Sequence, residues 1–206
     1  MAVTNVFEGK TNSAVFYATP DYVAVGSDDD YFLAPMSSQA AQRIADLVGG
    51  SLPTPRMVDA IWASAEVRLA PIRLDPGEDM TTVEYLERHD NLIKSQLHLY
   101  RVKPGAFVAG DKLDLVLTPT LAKNPGKAAL YGWHRPDGRP IQRLFTIHTD
   151  SEVAFSQGVR LVDRRVLVDG VERDLWDVLA DSTLAPVLSR QGVIAEPRYP
   201  MWDEER

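Results

Sequence analysis

The chain has 206 residues, 45% of them hydrophobic and 25% charged, which sits within the range one hydrophobic core serves and excludes a disordered or membrane-embedded composition. A net charge of -7 argues against nucleic acid as a partner, because phosphate binding is dominated by clustered Lys and Arg. The absence of cysteine excludes disulfides, thiolate metal sites and cysteine nucleophiles, and no apolar run approaches the ~20 residues of a membrane helix.

Residues 1–11 carry no basic segment followed by an apolar run, so no signal peptide is visible; an exported or virion-associated protein would both be consistent with this start. Apolar and aromatic residues in 14–17, 22–25 and 31–34, separated by Thr19-Pro20-Asp21 and Gly26-Ser27-Asp28-Asp29-Asp30, predict a short antiparallel meander. Ser37 or Ser38 caps a helix reaching about residue 48, with Ala41, Ile44, Ala45 and Val48 on one face and Gly49-Gly50 as its stop. Thr54-Pro55 starts a second helix bearing Val58, Ile61, Trp62 and Ala65 at helical spacing. Thr81 with Glu84 forms a candidate capping box for a long third helix to about residue 100.

From Pro104 the pattern turns to short β runs at residues 106–108, 113–117, 128–131, 141–147, 159–162 and 165–168. Pro136-Asp137-Gly138 and Asp169-Gly170 are the hairpin signals, since glycine supplies the positive φ such turns need. Short helices from about Leu175 and Thr183 close the chain, followed by a polar, proline-containing tail. The reading is therefore α+β: an N-terminal β meander and three helices packed on a mostly antiparallel sheet from the C-terminal half. Residues 1–195 form one domain and 196–206 an extended tail, whose Trp202 either docks on a protein partner or a second copy or is simply exposed.

Reactive side chains are densest between Tyr131 and Arg160. His134 and His148 flank the predicted hairpin turn and would approach one another if the register allows. Neutral imidazoles beside Asp150 suit zinc binding or general acid–base catalysis, although the spacing is no recognised zinc signature and packing or surface roles are the more ordinary. No cofactor is certain from these residues. His89 and His98 fall in the long helix, where a packing or solvated role is expected. Asp28, Asp29 and Asp30 offer hard oxygen ligands but lack the calcium-loop pattern, so a polar turn is expected. Asp111 and Asp114 form a carboxylate pair with Lys112 between them; strand alternation puts the two acids on opposite faces, and solvated strand-edge charges are the ordinary reading.

Four strings, DYVAVGSDDDYFLAPMSSQAAQRIAD, LPTPRMVDAIW, YGWHRPDGRPIQ and SQGVRLV, resemble a family of bacterial proteins, many of them exported, to which no activity is attached. Members of that family usually read Ser-His-Gly-hydrophobic-Arg-Leu in the last string, preceded by Asp and Tyr. Here Gln157 stands in place of the histidine, Ala154 of the aspartate and Phe155 of the tyrosine, and Asp111 replaces a further histidine; Lys112, Asp114, His134, His148, Ser156, Gly158 and Arg160 match. The Ser-His-Gly string is similar to a fragment of the L,D-transpeptidase signature, whose cysteine this chain lacks. The resemblance implies a hydrolase-like domain related to the cell envelope, with peptidoglycan or a similar cell-wall polymer as partner. In that reading His148 is base or metal ligand, Asp150 orients it, His134 is a second base or ligand, Ser156 belongs to the same site and Arg160 holds an anionic group. An amide at Gln157 cannot titrate near neutrality. The alternative is accordingly a non-catalytic structural or binding protein of a larger assembly such as a phage virion.

Overall fold

A computed structural model describes residues 1–7, 10–75 and 77–200. The chain opens with a hairpin, β1 (Ala2–Phe7) against β2 (Lys10–Val15), and a second small hairpin pairs β3 (Val25–Gly26) with β4 (Tyr31–Phe32). The expected three-run meander is not what forms. Residues 14–15 pair with β1 and with a strand from the far end of the sequence, while residues 22–23 lie outside any strand and run beside the residue 159 segment.

The helix starts follow their capping chemistry. Ser37 accepts from the Ala40 amide at the head of α1 (Ser38–Leu47), and Ala41 and Ala45 bury the inner face before Gly49, at φ 67, ends it. After β5 (Gly50–Ser51), Thr54 caps α2 (Pro55–Ser64) by accepting from Met57 N, with Pro55 in the first turn. β6 (Val67–Arg68) follows. At α3 (Val83–Leu99) the cap is Thr82, accepting from Tyr85 N, and not Thr81, which ends a short 3₁₀ turn.

β7 (Val108–Ala109) pairs with β6, and β8 (Leu113–Leu115) pairs antiparallel with β9 (Leu130–His134), which turns into β10 (Pro140–Phe145) through the expected Asp137-Gly138 hairpin. β11 (Gln157–Gly158) then lies parallel to β8, giving a four-stranded sheet ordered β10-β9-β8-β11. β12 (Val162–Asp163) pairs with β5; β13 (Arg165–Val168) and β14 (Val171–Asp174) form the Asp169-Gly170 hairpin and join β1 and β2 in a second sheet, β1-β2-β13-β14. The fold is α+β and mostly antiparallel, with parallel pairings at β6–β7 and β8–β11.

α4 (Leu175–Ala180), capped by Asp174, and α5 (Ala185–Leu188) cover the core, whose largest cluster takes in Phe16 and Leu52 from the N-terminal half and Leu115, Val159, Val166 and Leu179 from the C-terminal half. The expected extended tail is packed at least as far as Pro200: Tyr199 is 1% exposed, and its hydroxyl donates to Val116 O and accepts from Ala129 N. Trp202 lies outside the described residues.

Candidate functional site

The parallel pairing of β8 with β11 sets Gln157 opposite Leu113 and Gly158 opposite Asp114, which brings the Asp111-Lys112-Leu113-Asp114 and Ser156-Gln157-Gly158-Val159-Arg160 segments together. Only glycine fits at residue 158, since a Cβ there would lie 2.6 Å from Lys112 Cβ and from the Tyr22 ring. Asp111, Lys112, Asp114, Ser156, Gln157 and Arg160 are all buried, so these charges are not the solvated strand-edge groups the alternation suggests.

Lys112 Nζ donates to Phe155 O (2.9 Å) and lies 3.3 Å from His89 Nδ1. His89 Nε2 is 3.0 Å from Ile72 O, and because a carbonyl only accepts, Nε2 carries the proton and Nδ1 is the acceptor for Lys112. The imidazole is accordingly neutral: burial, with the Lys112 charge beside it, lowers its pKa to about 3. Burial also lowers Lys112, against the pull of Asp111 and Asp90, and raises Asp111, with Asp21 adding to the rise. Both Asp111 carboxyl oxygens are buried without a hydrogen-bond partner. Asp114 accepts from Tyr22 OH (3.0 Å) and is raised to about 6, again by burial.

Arg160 is fully buried, donates to Thr19 O (2.9 Å) and Val108 O (2.8 Å), and stacks 4.2 Å from the Tyr22 ring. These hydrogen bonds go to the protein's own backbone, where an arginine holding an anionic group was expected, and its buried Nε has no partner. Gln157 Oε1 accepts from Ala154 N (3.2 Å), closing its own turn, while its buried Nε2 has no partner. Ser156 O accepts from Leu113 N, and among the described residues no histidine is hydrogen-bonded to the Ser156 hydroxyl.

A second group adjoins this one. Asp59 on α2 accepts from Tyr131 OH (2.7 Å) and His134 Nε2 (3.0 Å) through one oxygen and from Arg190 (2.6 Å) through the other. Burial opposes the Asp59 charge, but the His134 and Tyr131 hydrogen bonds outweigh it and lower the pKa. Trp62, three residues along the same helix, stacks on His134 with centroids 5.7 Å apart. A Cβ on Gly132, at φ 106, would lie 3.3 Å from Asp114 Oδ2 and 3.5 Å from His134 Cε1, so the two groups meet across this glycine. A cavity of about 10 Å³, lined by Tyr22, Trp62, Lys112, Asp114, Trp133 and His134, lies between them and is the size of one water. The buried Trp62 Nε1 has no partner.

His148 does not join His134. It lies beyond the end of β10 and its carbonyl accepts from Ala128 N, six residues before His134 along β9, or on the order of 20 Å of extended chain. Its Nδ1 contacts Glu152, and Asp150 accepts from Gln39 Nε2 (3.0 Å), so the carboxylate beside this imidazole is not the expected one. Among the described residues there is no group of three or more His, Asp or Glu arranged to hold a metal ion, which leaves the zinc reading without a ligand set.

A cleft of about 460 Å³ opens between residues 19–33 and 97–108, walled by Tyr31, Leu33, Leu97, Val102 and Val108, with Asp21 among its lining residues and close enough to the buried cluster for Arg160 and Lys112 to act on its charge. Asp59, Arg190 and Asp21 were invisible as site residues in the sequence, His89 was assigned a packing or solvated role, and Tyr131 entered only as the start of the reactive stretch. Only the three-residue step from Asp59 to Trp62 on one helix face hinted at a shared role.

No family model, no curated protein and no solved structure matches this chain. The class that fold and site define is an α+β domain around a buried ionic cluster, and among the described residues no helix is long and apolar enough to cross a membrane.

Proposed function

We propose that this chain is a hydrolase-like domain of the bacterial cell-envelope kind that binds peptidoglycan or a similar wall polymer without cleaving it. The observation that carries the reading is the burial of Lys112, Asp114, Ser156, Gln157 and Arg160, residues through which the chain resembles that family: the cavity that Lys112 and Asp114 line is the size of one water. A polymer cannot reach them. Arg160 donates to the backbone at Thr19 and Val108, and the Gln157 Oε1 accepts from the Ala154 amide, so these side chains hold the protein's own backbone. Asp111 and Gln157 stand in place of two imidazoles of the resembled family, so the groups that titrate there near neutral pH are Asp111, Asp114 and Lys112, all three buried.

One observation favours a catalytic reading. His134 is oriented by Asp59 at 3.0 Å, the arrangement in which a carboxylate fixes an imidazole as general base, and Asp114 is close by across Gly132.

Incubation with purified sacculi separates the two readings. The expected result is co-sedimentation of the protein with sacculi and no soluble muropeptide above the protein-free blank by mass spectrometry, for wild type and His134→Ala alike. Fragment release by wild type that disappears in His134→Ala would establish the hydrolase instead. Neither sedimentation nor release from folded protein would remove wall polymer as the ligand and leave a structural protein of a larger assembly.

A further inference from the structure

We propose that the cleft between residues 19–33 and 97–108 is a binding site for a ligand that carries a primary ammonium group on an apolar body, with Asp21 as the carboxylate that receives the ammonium. The cleft's 460 Å³ falls in the range of small-molecule sites, and its walls are side chains that pack against hydrocarbon: Tyr31, Leu33, Leu97, Val102 and Val108.

The sign of the ligand charge follows from which lining groups are already committed. The cations that act on Asp21, Arg160 and Lys112, donate to the protein's own backbone, Lys112 to Phe155 O at 2.9 Å. Arg160 donates to Thr19 O and Val108 O, and Lys94, over the Tyr31 ring, is paired with Asp90 at 2.7 Å and donates to Tyr31 O. Of the residues lining the cleft, Asp21 and Asp28 are acidic and Lys103, exposed at the rim, is the basic one. An anionic ligand would meet excess negative charge. Among the described residues the Asp21 carboxylate has one hydrogen-bond partner, the neighbouring Tyr22 amide at 2.7 Å on Oδ1, and Asp21 lines the cleft.

A neutral apolar ligand fails for a different reason. Covering a carboxylate without supplying a donor strands a charge away from water, which costs more than the apolar contact returns. Asp21 already feels this: burial raises its pKa despite Arg160 and Lys112 nearby. An ammonium group answers the need with up to three donors, and the apolar body fills the walls.

In the wall-binding reading, on which this identification of a natural source rests, the free amine of a peptidoglycan stem peptide is a ligand of this class. The chemical claim is independent of that reading and is tested first with three probes that share one phenethyl body: phenethylamine, phenethyl alcohol and hydrocinnamate. Binding is followed by backbone amide shifts of Val23, Gly105 and Ala106 in the full chain. The amine is expected to bind at least about tenfold more tightly than the alcohol, the step of one charge-assisted hydrogen bond, and the carboxylate least well. Asp21→Asn is expected to bring the amine to the level of the alcohol, and Ala106→Trp, which fills the cleft from its wall, to abolish both. Equal affinity for amine and alcohol, a preference for the carboxylate, or no shift at these amides overturns the site. Sacculus sedimentation of Ala106→Trp separates this from the broader reading. Its loss supports the cleft as the wall-binding site, while retained sedimentation overturns the cleft's part in wall binding and leaves wall binding itself intact.

Discussion

At the scale of single residues, His89 shows how a site group can hide in a helix pattern. Its position in α3 reads as packing, and it does pack, edge-on to Trp133 and Phe155; what the pattern cannot display is the chain of donors that runs from Lys112 through Nδ1 and on from Nε2 to Ile72 O. That chain fixes a pH dependence. With the folded pKa lowered to about 3 from an ordinary 6.5, the unfolded chain binds the proton first as pH falls, so His89 contributes stability above pH 6.5 that is lost as pH drops toward 3. Asp114, raised to about 6, acts with the opposite sign over an overlapping window, and the raised Asp111 does likewise at higher pH, so the wild-type curve alone will not isolate the histidine. The difference between wild type and His89→Gln will. From urea unfolding at pH 7 and pH 4, the variant is expected to lose about 3 kcal/mol less stability than wild type between the two pH values. Equal losses would mean that the buried imidazole is not held neutral.

At the scale of elements, most of what the sequence offered was local and survived. The caps at Ser37 and Thr54, the glycine stop after α1 and both hairpin turns are decided within four or five residues, and each was readable. The failures are pairings. Residues 14–17 look like the start of a meander, yet β2 is claimed by β1 and by β13, some 150 residues away, because Ser13 anchors Asp169 and Leu167 falls opposite Val15. The same blindness applied to the site: nothing local in SQGVRLV says that β11 lies parallel to β8, and without that pairing only the resemblance, not any spatial argument, joins Gln157 to Asp111. The start of α3 gives a test inside a one-residue error. Two threonines stand in sequence, and the geometry assigns the cap to the second. Thr82→Ala is expected to cost about 1 kcal/mol in chemical denaturation and Thr81→Ala only a few tenths, the reverse of what a Thr81–Glu84 capping box requires.

At the scale of the whole molecule, the end of the chain is where composition misled most, because Glu196-Pro197-Arg198 reads as a solvated tail and the residue that follows does not behave as one. Arg198 pairs with Asp46 on α1, Gln42 accepts from the Tyr199 amide, and the Tyr199 ring passes under the helix to reach the strand edge where Val116 and Ala129 face each other. The C-terminal segment thus ties α1 to the sheet that carries the site, and it does so through one hydroxyl that donates to one backbone group and accepts from another. Burial, more than the Ala129 amide can offset, holds that hydroxyl's pKa well above its ordinary value, so it remains protonated throughout the physiological range. Tyr199→Phe keeps the ring volume and removes only the oxygen, leaving the Ala129 amide buried without its acceptor. The expected loss is about 1–3 kcal/mol, read as a lower denaturation midpoint with an unchanged slope. An extended tail would allow no such loss, since a solvated tyrosine gives up nothing with its hydroxyl. A midpoint within error of wild type would therefore detach residues 196–200 from the fold and with them the link between α1 and the β8–β9 pair.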